Sequence, residues 1–410
     1  MTDRPINSHK IINDPVFGFI QINHNLIFRL IEHPVFQRLK RIRQLGLSSN
    51  VYPGAQHTRF QHALGAMHLT QEAVNVLRSK GQNITEEEEE AVLAAILLHD
   101  IGHGPFSHVL EDTIVHINHE AISLVLMEML NKELDRKLDL AIKIFKGNYP
   151  KRFLHQLVSG QLDMDRMDYL RRDSFYTGVT EGTIGSARII KMLNVVDDQL
   201  VLEAKGIYSI EKFLIARRLM YWQVYLHKTA LASEKMLINV LKRARELHKQ
   251  GKTLYLTPAL EYFFINNVSV EGLESDRNAL NQFIKLDDTD ILTCLKYWID
   301  NKDMILSVLS DGLINRRLYK IEISNTPFQE TYILKKKQEI LQRHNLKNYE
   351  LEYFVFQGTT SSELYTPDVD KIKILYKNGD VVSVDEASEI IRISQHITSE
   401  EKFFFCYIRN

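Results

Sequence analysis

From residue 59 the chain reads RFQHALGAMHLTQEAVNVLRSK, with Leu64, Met67, Val74 and Leu77 spaced close to one helical face. That spacing predicts a helix with His62 in its first turn. Thr85 followed by Glu86, Glu87 and Glu88 reads as an N-cap with a capping-box glutamate three residues on, and the acidic first turn suits the positive helix end. The stretch AVLAAILLHD that follows is apolar almost all round, as expected of a helix at the centre of a bundle. It ends at IGHG, where two glycines permit a tight turn, so His99 and Asp100 fall at the C-terminal end of a core helix. HEAISLVLMEML from residue 119 and ARRLMYWQVYLHKTALASEKMLINVLKRARELHKQ from residue 216 extend the helical pattern. The body of the protein is therefore expected to be a mainly α bundle.

The last ninety or so residues follow a different period. RRLYKIEIS, YELEYFVFQ, KIKILYKNGDVVSV and KFFFCYIR are short, aromatic or β-branched and partly alternating, and Asn378-Gly379 is a hairpin signal. The expected organisation is a helical domain with an N-terminal extension over 1–317 and a small α+β region over 318–410.

A chain of 410 residues is long enough for more than one core. Its 44% apolar and 25% charged residues are those of a globular protein that folds throughout. Cys294 and Cys406 form neither a metal-type pair nor a disulfide framework, which points to a reducing compartment. The N-terminal MTDRPINSHK lacks the apolar segment of a signal peptide, and no run approaches the length of a membrane span. The expected location is the cytoplasm, without membrane contact. A net charge of -1 supplies no global field toward a polyanion, so local clusters must carry any phosphate binding. Several of the 16 histidines crowd between His57 and His119.

Within that crowd lies HDIGHGPFSH, residues 99 to 108. Adjacent His99 and Asp100 offer the mixed nitrogen and oxygen donors that suit a divalent metal acting on phosphate. A lone His-Asp pair is more often a hydrogen-bonded core feature. Two further residues change the weighing: His62 on a preceding helix and Asp165 within DMDRMDYLRRD both lie in polar sequence, where core packing does not account for them. Ligands drawn from three helices are an established way to build a metal site inside a bundle.

RFQHALG, HDIGHGPFSH, the His119-Glu120 pair and LDMDRMDYLRRD, in this order, resemble the HD superfamily branch that includes the sterile-alpha-motif and HD-domain dNTP triphosphohydrolases and their short bacterial relatives. The resemblance runs from KIINDPVFG through HPVFQRLKRIRQLG and YPGAQHTRFQHALG to ARRLMYWQVYLHK. It implies an HD-domain helical bundle in which His62, His99, Asp100 and Asp165 bind the metal, while Asp163 has a structural or supporting role. His103, His108 and His119 would act at the scissile phosphate, oriented by Glu111 and Glu120. Arg59, Arg166 and Arg217 match positions that hold the triphosphate, Arg166 standing where relatives often have lysine. Gln44, Leu45, Tyr169, Asp173 and Tyr225 match residues that enclose sugar and base. Lys10, Asn13, Glu32, Gln37, Lys40 and Lys205 match a region that binds an activating nucleotide in the family. There Glu32 replaces an aspartate, Lys40 replaces an arginine, and Glu203 stands where a basic residue is expected.

The implied reaction is hydrolysis of a dNTP to deoxynucleoside and triphosphate, by a homo-oligomer, dimer or tetramer. Two histidines and two carboxylates accept iron, manganese, zinc, nickel, cobalt or magnesium. Two other readings share the ligand set: a different HD nucleotidase or phosphodiesterase, and a non-catalytic nucleotide-binding assembly protein. His103 and His119 argue against the last, because a binding module needs no proton donors. LKRARELHK leaves a nucleic-acid contact open, although such a charge run usually marks a solvated helix face.

Overall fold

The computed structural model describes residues 10–106, 108–344, 346–361, 371–389 and 401–409, with the side chains of His108, Asp112 and Ser361 outside the description. The chain opens with an antiparallel hairpin, β1 (Lys10–Asp14) and β2 (Gly18–Ile22), followed by α1 (Asn25–Glu32). The two helices that begin the bundle are α2 (Arg59–Ser79) and α3 (Glu86–Leu98).

The Thr85 hydroxyl accepts from the Glu88 amide at 3.1 Å while the Glu88 carboxylate accepts from the Thr85 amide at 2.9 Å, which fixes where α3 starts. Residues 91 to 98 of α3 are all buried. Each large apolar side chain there contributes about 1.5–3 kcal/mol through burial. Around α3 pack α1, α2 and, further along the chain, α4 (Asp139–Phe145) and α5 (Arg152–Val158). In α2 the buried set goes beyond the expected face and takes in His62, Ala63, Gly65, Ala66 and Thr70. His62 is 0% exposed, contrary to the surface-like setting its polar neighbours suggest, because α6 (Met164–Thr177) covers that side of α2.

The helix expected to run through ARRLMYWQVYLHK is interrupted. A first helix, α7 (Ile207–Met220), passes into one π-helical turn at Tyr221–Tyr225, and α8 (Lys228–Lys249) restarts with the His227 ring accepting from the Thr229 amide at 3.1 Å. The wide turn swings Tyr225 toward α6, where its hydroxyl meets Asp173. Two later helices, α9 (Arg277–Lys285) and α10 (Asp288–Trp298), close the bundle near the HDIGHG turn.

Earlier in the chain β3 (Leu193–Val196) and β4 (Gln199–Glu203) form a hairpin, and among the described residues the region from residue 318 adds β5 (Lys320–Ser324), β6 (Val355–Ser361), β7 (Lys373–Leu375), β8 (Val381–Ser383) and β9 (Glu401–Tyr407). One sheet has the order β5-β9-β6. In the other, β3-β4-β7-β8, strand β7 lies parallel to β4 with Leu202 opposite Ile374, so the C-terminal strands extend a sheet begun in the helical body. YELEYFVFQ is divided: Asn348–Phe354 is helical and only Val355 onward is strand. The Glu350 carboxylate accepts from the Lys347 amide at 2.8 Å, a helix-starting contact that overrides the short alternation. The Asn378-Gly379 hairpin forms with Gly379 at φ +94, its amide bonded to the Tyr376 carbonyl. No helix among the described residues is long and apolar enough to cross a membrane.

Candidate metal centre and phosphate pocket

Three helix ends meet at one point: the start of α2, the end of α3 and the start of α6. His62 Nε2 lies 3.1 Å from Asp165 Oδ1, 3.4 Å from His99 Nε2 and 3.8 Å from Asp100 Oδ2. His99 Nε2 lies 3.3 Å from Asp100 Oδ1 and 3.7 Å from Asp165 Oδ1. Donor atoms each about 2.1 Å from one ion are about 3.0 Å apart at a right angle and about 3.4 Å apart at the tetrahedral angle. His62, His99 and Asp100 are close enough to share one divalent cation, and Asp165 stands against both imidazoles as a further carboxylate donor. The ring tautomers fit as well: His99 Nδ1 donates to the Ile96 carbonyl at 2.6 Å and His62 Nδ1 is paired with Asp168 at 2.7 Å, so both Nε2 lone pairs turn to the common point.

The electrostatics favour positive charge at that point. Burial opposes charging of His62, but Asp165 and Asp168 outweigh it and hold the imidazole up at about 10. His99 is raised too, against its burial, by Asp100 and Asp165. Burial works against the Asp100 carboxylate, yet His99 and Arg59 keep it well below the usual carboxylate range.

A chain of buried charges stands behind His62. Asp168, which takes its Nδ1, is gripped by Arg172 at 2.9 Å, and Arg172 reaches Asp14 at the end of β1 at 2.8 Å. Gly65 makes room for this: a Cβ there would fall 1.9 Å from Asp168 Oδ1 and 2.3 Å from Arg172 Nη2. Sequence reasoning missed Asp168 and Arg172. Their signal was present in helical spacing, Asp168 one turn beyond Asp165 and Arg172 one turn beyond that. Asp163, kept outside the ligand set, caps α6 by accepting from the Arg166 amide at 2.7 Å. Gly102 serves a close approach rather than a special dihedral: a Cβ there would fall 2.1 Å from the His119 carbonyl oxygen.

Beside the cluster, His103 Nε2 lies 3.3 Å from Asp100, and its ring stacks on His119 with centroids 3.8 Å apart and planes 17° apart. His119 opens the helix His119–Glu133, and Glu111 lies on the short helix His108–Thr113. Glu111 Oε1 pairs with His119 Nδ1 at 3.0 Å, whereas Glu120 is exposed. His103, Glu111 and His119 are close enough to be considered as a second set of ligands. Stacked rings cannot both aim in-plane lone pairs at one ion, so the geometry suits proton exchange better than metal binding. Burial, with Arg59 adding to it, pushes His103 down to about 3, which leaves a neutral imidazole. The side chain of His108 lies outside the described part of the structure.

On the other flank, Tyr169 meets Tyr225 edge to face at 6.0 Å. Asp173 is fully engaged inside the protein, with His57 at 2.7 Å and the Tyr225 hydroxyl at 2.8 Å, so it orients Tyr225. Arg166 is anchored by Asp163 and the Gly160 carbonyl, and Arg217 by Gln161 at 3.2 Å. Among the described residues, the buried Nε groups of Arg166 and Arg217, Gln44 Oε1 and His57 Nδ1 have no hydrogen-bond partner. Buried polar atoms in this state ask for a polar ligand or ordered water. Arg59 pairs with Asp100, its Nη1 2.5 Å from the carboxylate. Leu45 is partly buried against the core.

The N-terminal candidates are less convergent. Lys10 lies over the Phe28 ring at 4.9 Å and Lys40 over Phe60 at 4.6 Å, Gln37 donates to the Ile31 carbonyl at 2.7 Å, and Asn13 and Glu32 are exposed. Lys205 is exposed in the turn after β4, and Glu203 is paired with Lys80 at 2.8 Å.

Comparison with known proteins identifies the family. The HD domain family description matches residues 59–173, and that of the HD associated region matches residues 184–256. A crystal structure described as a phosphohydrolase from Bacteroides thetaiotaomicron is similar over 98% of this chain and 100% of that one, with TM-score 0.94 and 57% identity. The uncharacterized protein YwfO of Bacillus subtilis is 31% identical over 98% of this chain and 93% of its own length. The deoxynucleoside triphosphate triphosphohydrolase SAMHD1 homolog of Dictyostelium discoideum is 31% identical over 59% of this chain and 51% of its own length.

Proposed function

This chain belongs to the HD-domain phosphohydrolase family, and from that premise we propose that it hydrolyses a dNTP to deoxynucleoside and inorganic triphosphate. The observation that carries the reading is the meeting of His62, His99 and Asp100, with Asp165 against both imidazoles, beside half-buried Arg166 and buried Arg217, whose Nε atoms have no hydrogen-bond partner among the described residues. A divalent metal held by those four residues would supply Lewis acidity toward phosphate oxygens and water. Arg166 and Arg217 would grip the phosphates through planar forks. Attack of water at the α-phosphorus breaks its bond to the 5′-oxygen, and the leaving oxygen needs a proton. His119, stacked on the neutral His103 ring, would deliver it, with Glu111 holding the His119 ring at Nδ1.

Tyr169 is the candidate gate against a 2′-hydroxyl, backed by Tyr225, which Asp173 fixes in place. Wild type is expected to prefer dNTPs over NTPs, and Tyr169→Ala to narrow that preference by roughly 10-fold, the scale of one steric contact in a pocket. Turnover of the four dNTPs and four NTPs by both proteins checks this, and equal wild-type rates on ATP and dATP would contradict it. A competing reading, a different HD nucleotidase or phosphodiesterase, draws support from Arg59, whose ion pair with Asp100 leaves the phosphate grip mainly to two arginines. A nucleotide activator has less support, because Lys80 neutralises Glu203 and the N-terminal candidates do not converge.

A further inference from the structure

We infer that Asp288, at the start of α10, is a positioning residue for the reaction: its one carboxylate ties the loop bearing His103 to the segment bearing Gln44. Oδ1 accepts from the Phe106 amide at 3.3 Å and Oδ2 accepts from the Arg43 amide at 3.0 Å. Both amides belong to segments of the proposed site. Residues 101–106 carry His103, and Arg43 directly precedes Gln44, whose own amide bonds the His57 carbonyl at 3.0 Å. The side chain is 5% exposed, so water cannot substitute freely for either contact.

Two observations show that the loop is held rather than merely touched. Phe106 adopts φ +53, a left-handed conformation that a bulky side chain rarely takes, and the Asp288 bond falls on that residue's amide. The fully buried Arg38 grips the same loop through its carbonyls, donating to His103 at 2.8 Å and Ile101 at 3.3 Å, while its Nε donates to the Leu286 carbonyl at 3.0 Å. The start of α10 is thereby fastened to the catalytic loop from both sides. Sequence gave no hint of it, since Asp288 lies more than 180 residues beyond Phe106.

Asp287, one residue earlier, supplies the control. It caps α10 through the Thr289 amide at 2.9 Å and pairs with Arg41, but touches neither loop amide at 103–106. The inference rests on the dNTP reading for the choice of substrate, so the test also uses bis(p-nitrophenyl) phosphate and a measurement that needs no substrate. Asp288→Asn and Asp288→Ala are expected to lower kcat by roughly 10- to 100-fold, the cost of a displacement of about 1 Å at a reacting group, with metal content unchanged. Asp287→Asn should lower the melting temperature and leave kcat at the wild-type value. All rates are measured well below each melting midpoint. A wild-type kcat in folded, metal-loaded Asp288 variants overturns the inference, as does equal loss of kcat in Asp287→Asn. If wild type hydrolyses neither probe, the dNTP reading fails separately, and hydrogen exchange decides the inference. The Phe106 and Arg43 amides of wild type should be strongly protected, also if the variants do not fold. Exchange as fast as in exposed loops overturns it.

Discussion

His62→Ala is expected to purify without its metal and to lose turnover by roughly 10³-fold or more, since the several kcal/mol of charge stabilisation that a metal supplies corresponds to at least that factor. The fold should survive. Removing the imidazole ring of His62 leaves Asp168 still bound to Arg172, so that buried carboxylate is not orphaned. Asp100→Ala should lose metal and activity as well, but at a further cost in stability. Arg59 sits 7% exposed against Asp100, and stripping one partner from a buried ion pair typically costs about 3–5 kcal/mol. Metal analysis and thermal unfolding on both variants check the contrast. Full metal occupancy with normal turnover in His62→Ala would remove that residue from the site.

His119→Ala tests the other half of the account. With its ring gone, the proton route through the stacked pair is broken while His62, His99, Asp100 and Asp165 are untouched, since His119 contacts His103 and Glu111. Metal content should stay at the wild-type level and kcat should fall by roughly 10²- to 10⁴-fold, the usual contribution of a positioned general acid. Glu111→Gln, which keeps a hydrogen-bond acceptor but not the charge at Nδ1, should lose only part of that. An unchanged kcat in His119→Ala would assign the leaving-group proton to another donor.

The cluster was legible because each candidate ligand sits in a short motif that resembles one of the HD superfamily. His99 and Asp100 end an apolar helix whose start Thr85 and Glu88 announce, and the structure places both where that helix stops. The supporting residues were not legible to the same degree. Asp168 and Arg172 look like ordinary charges in a polar helix until α2 covers them, and Gly65 looks like a helix-weakening residue until their side chains are seen in its space. The pairing of Arg59 with Asp100 was equally hidden, because nothing in the sequence says that Asp100 lies within its reach. The break at Tyr221–Tyr225 carries no glycine or proline to mark it, so a continuous helix was the natural expectation. At the C-terminus the strand pattern was visible but its partner was not: β7 pairs with β4, from a hairpin some 170 residues earlier, and only tertiary structure discloses such a pairing.

The central claim is the bond that breaks. Hydrolysis of a dNTP in oxygen-18 water, with products separated and weighed by mass spectrometry, tests it most directly. Attack at the α-phosphorus with release of the 5′-oxygen places the label in inorganic triphosphate and leaves the deoxynucleoside unlabelled. Recovery of dNMP with pyrophosphate, or of dNDP with phosphate, would contradict the account and assign the same metal centre to another phosphohydrolase reaction.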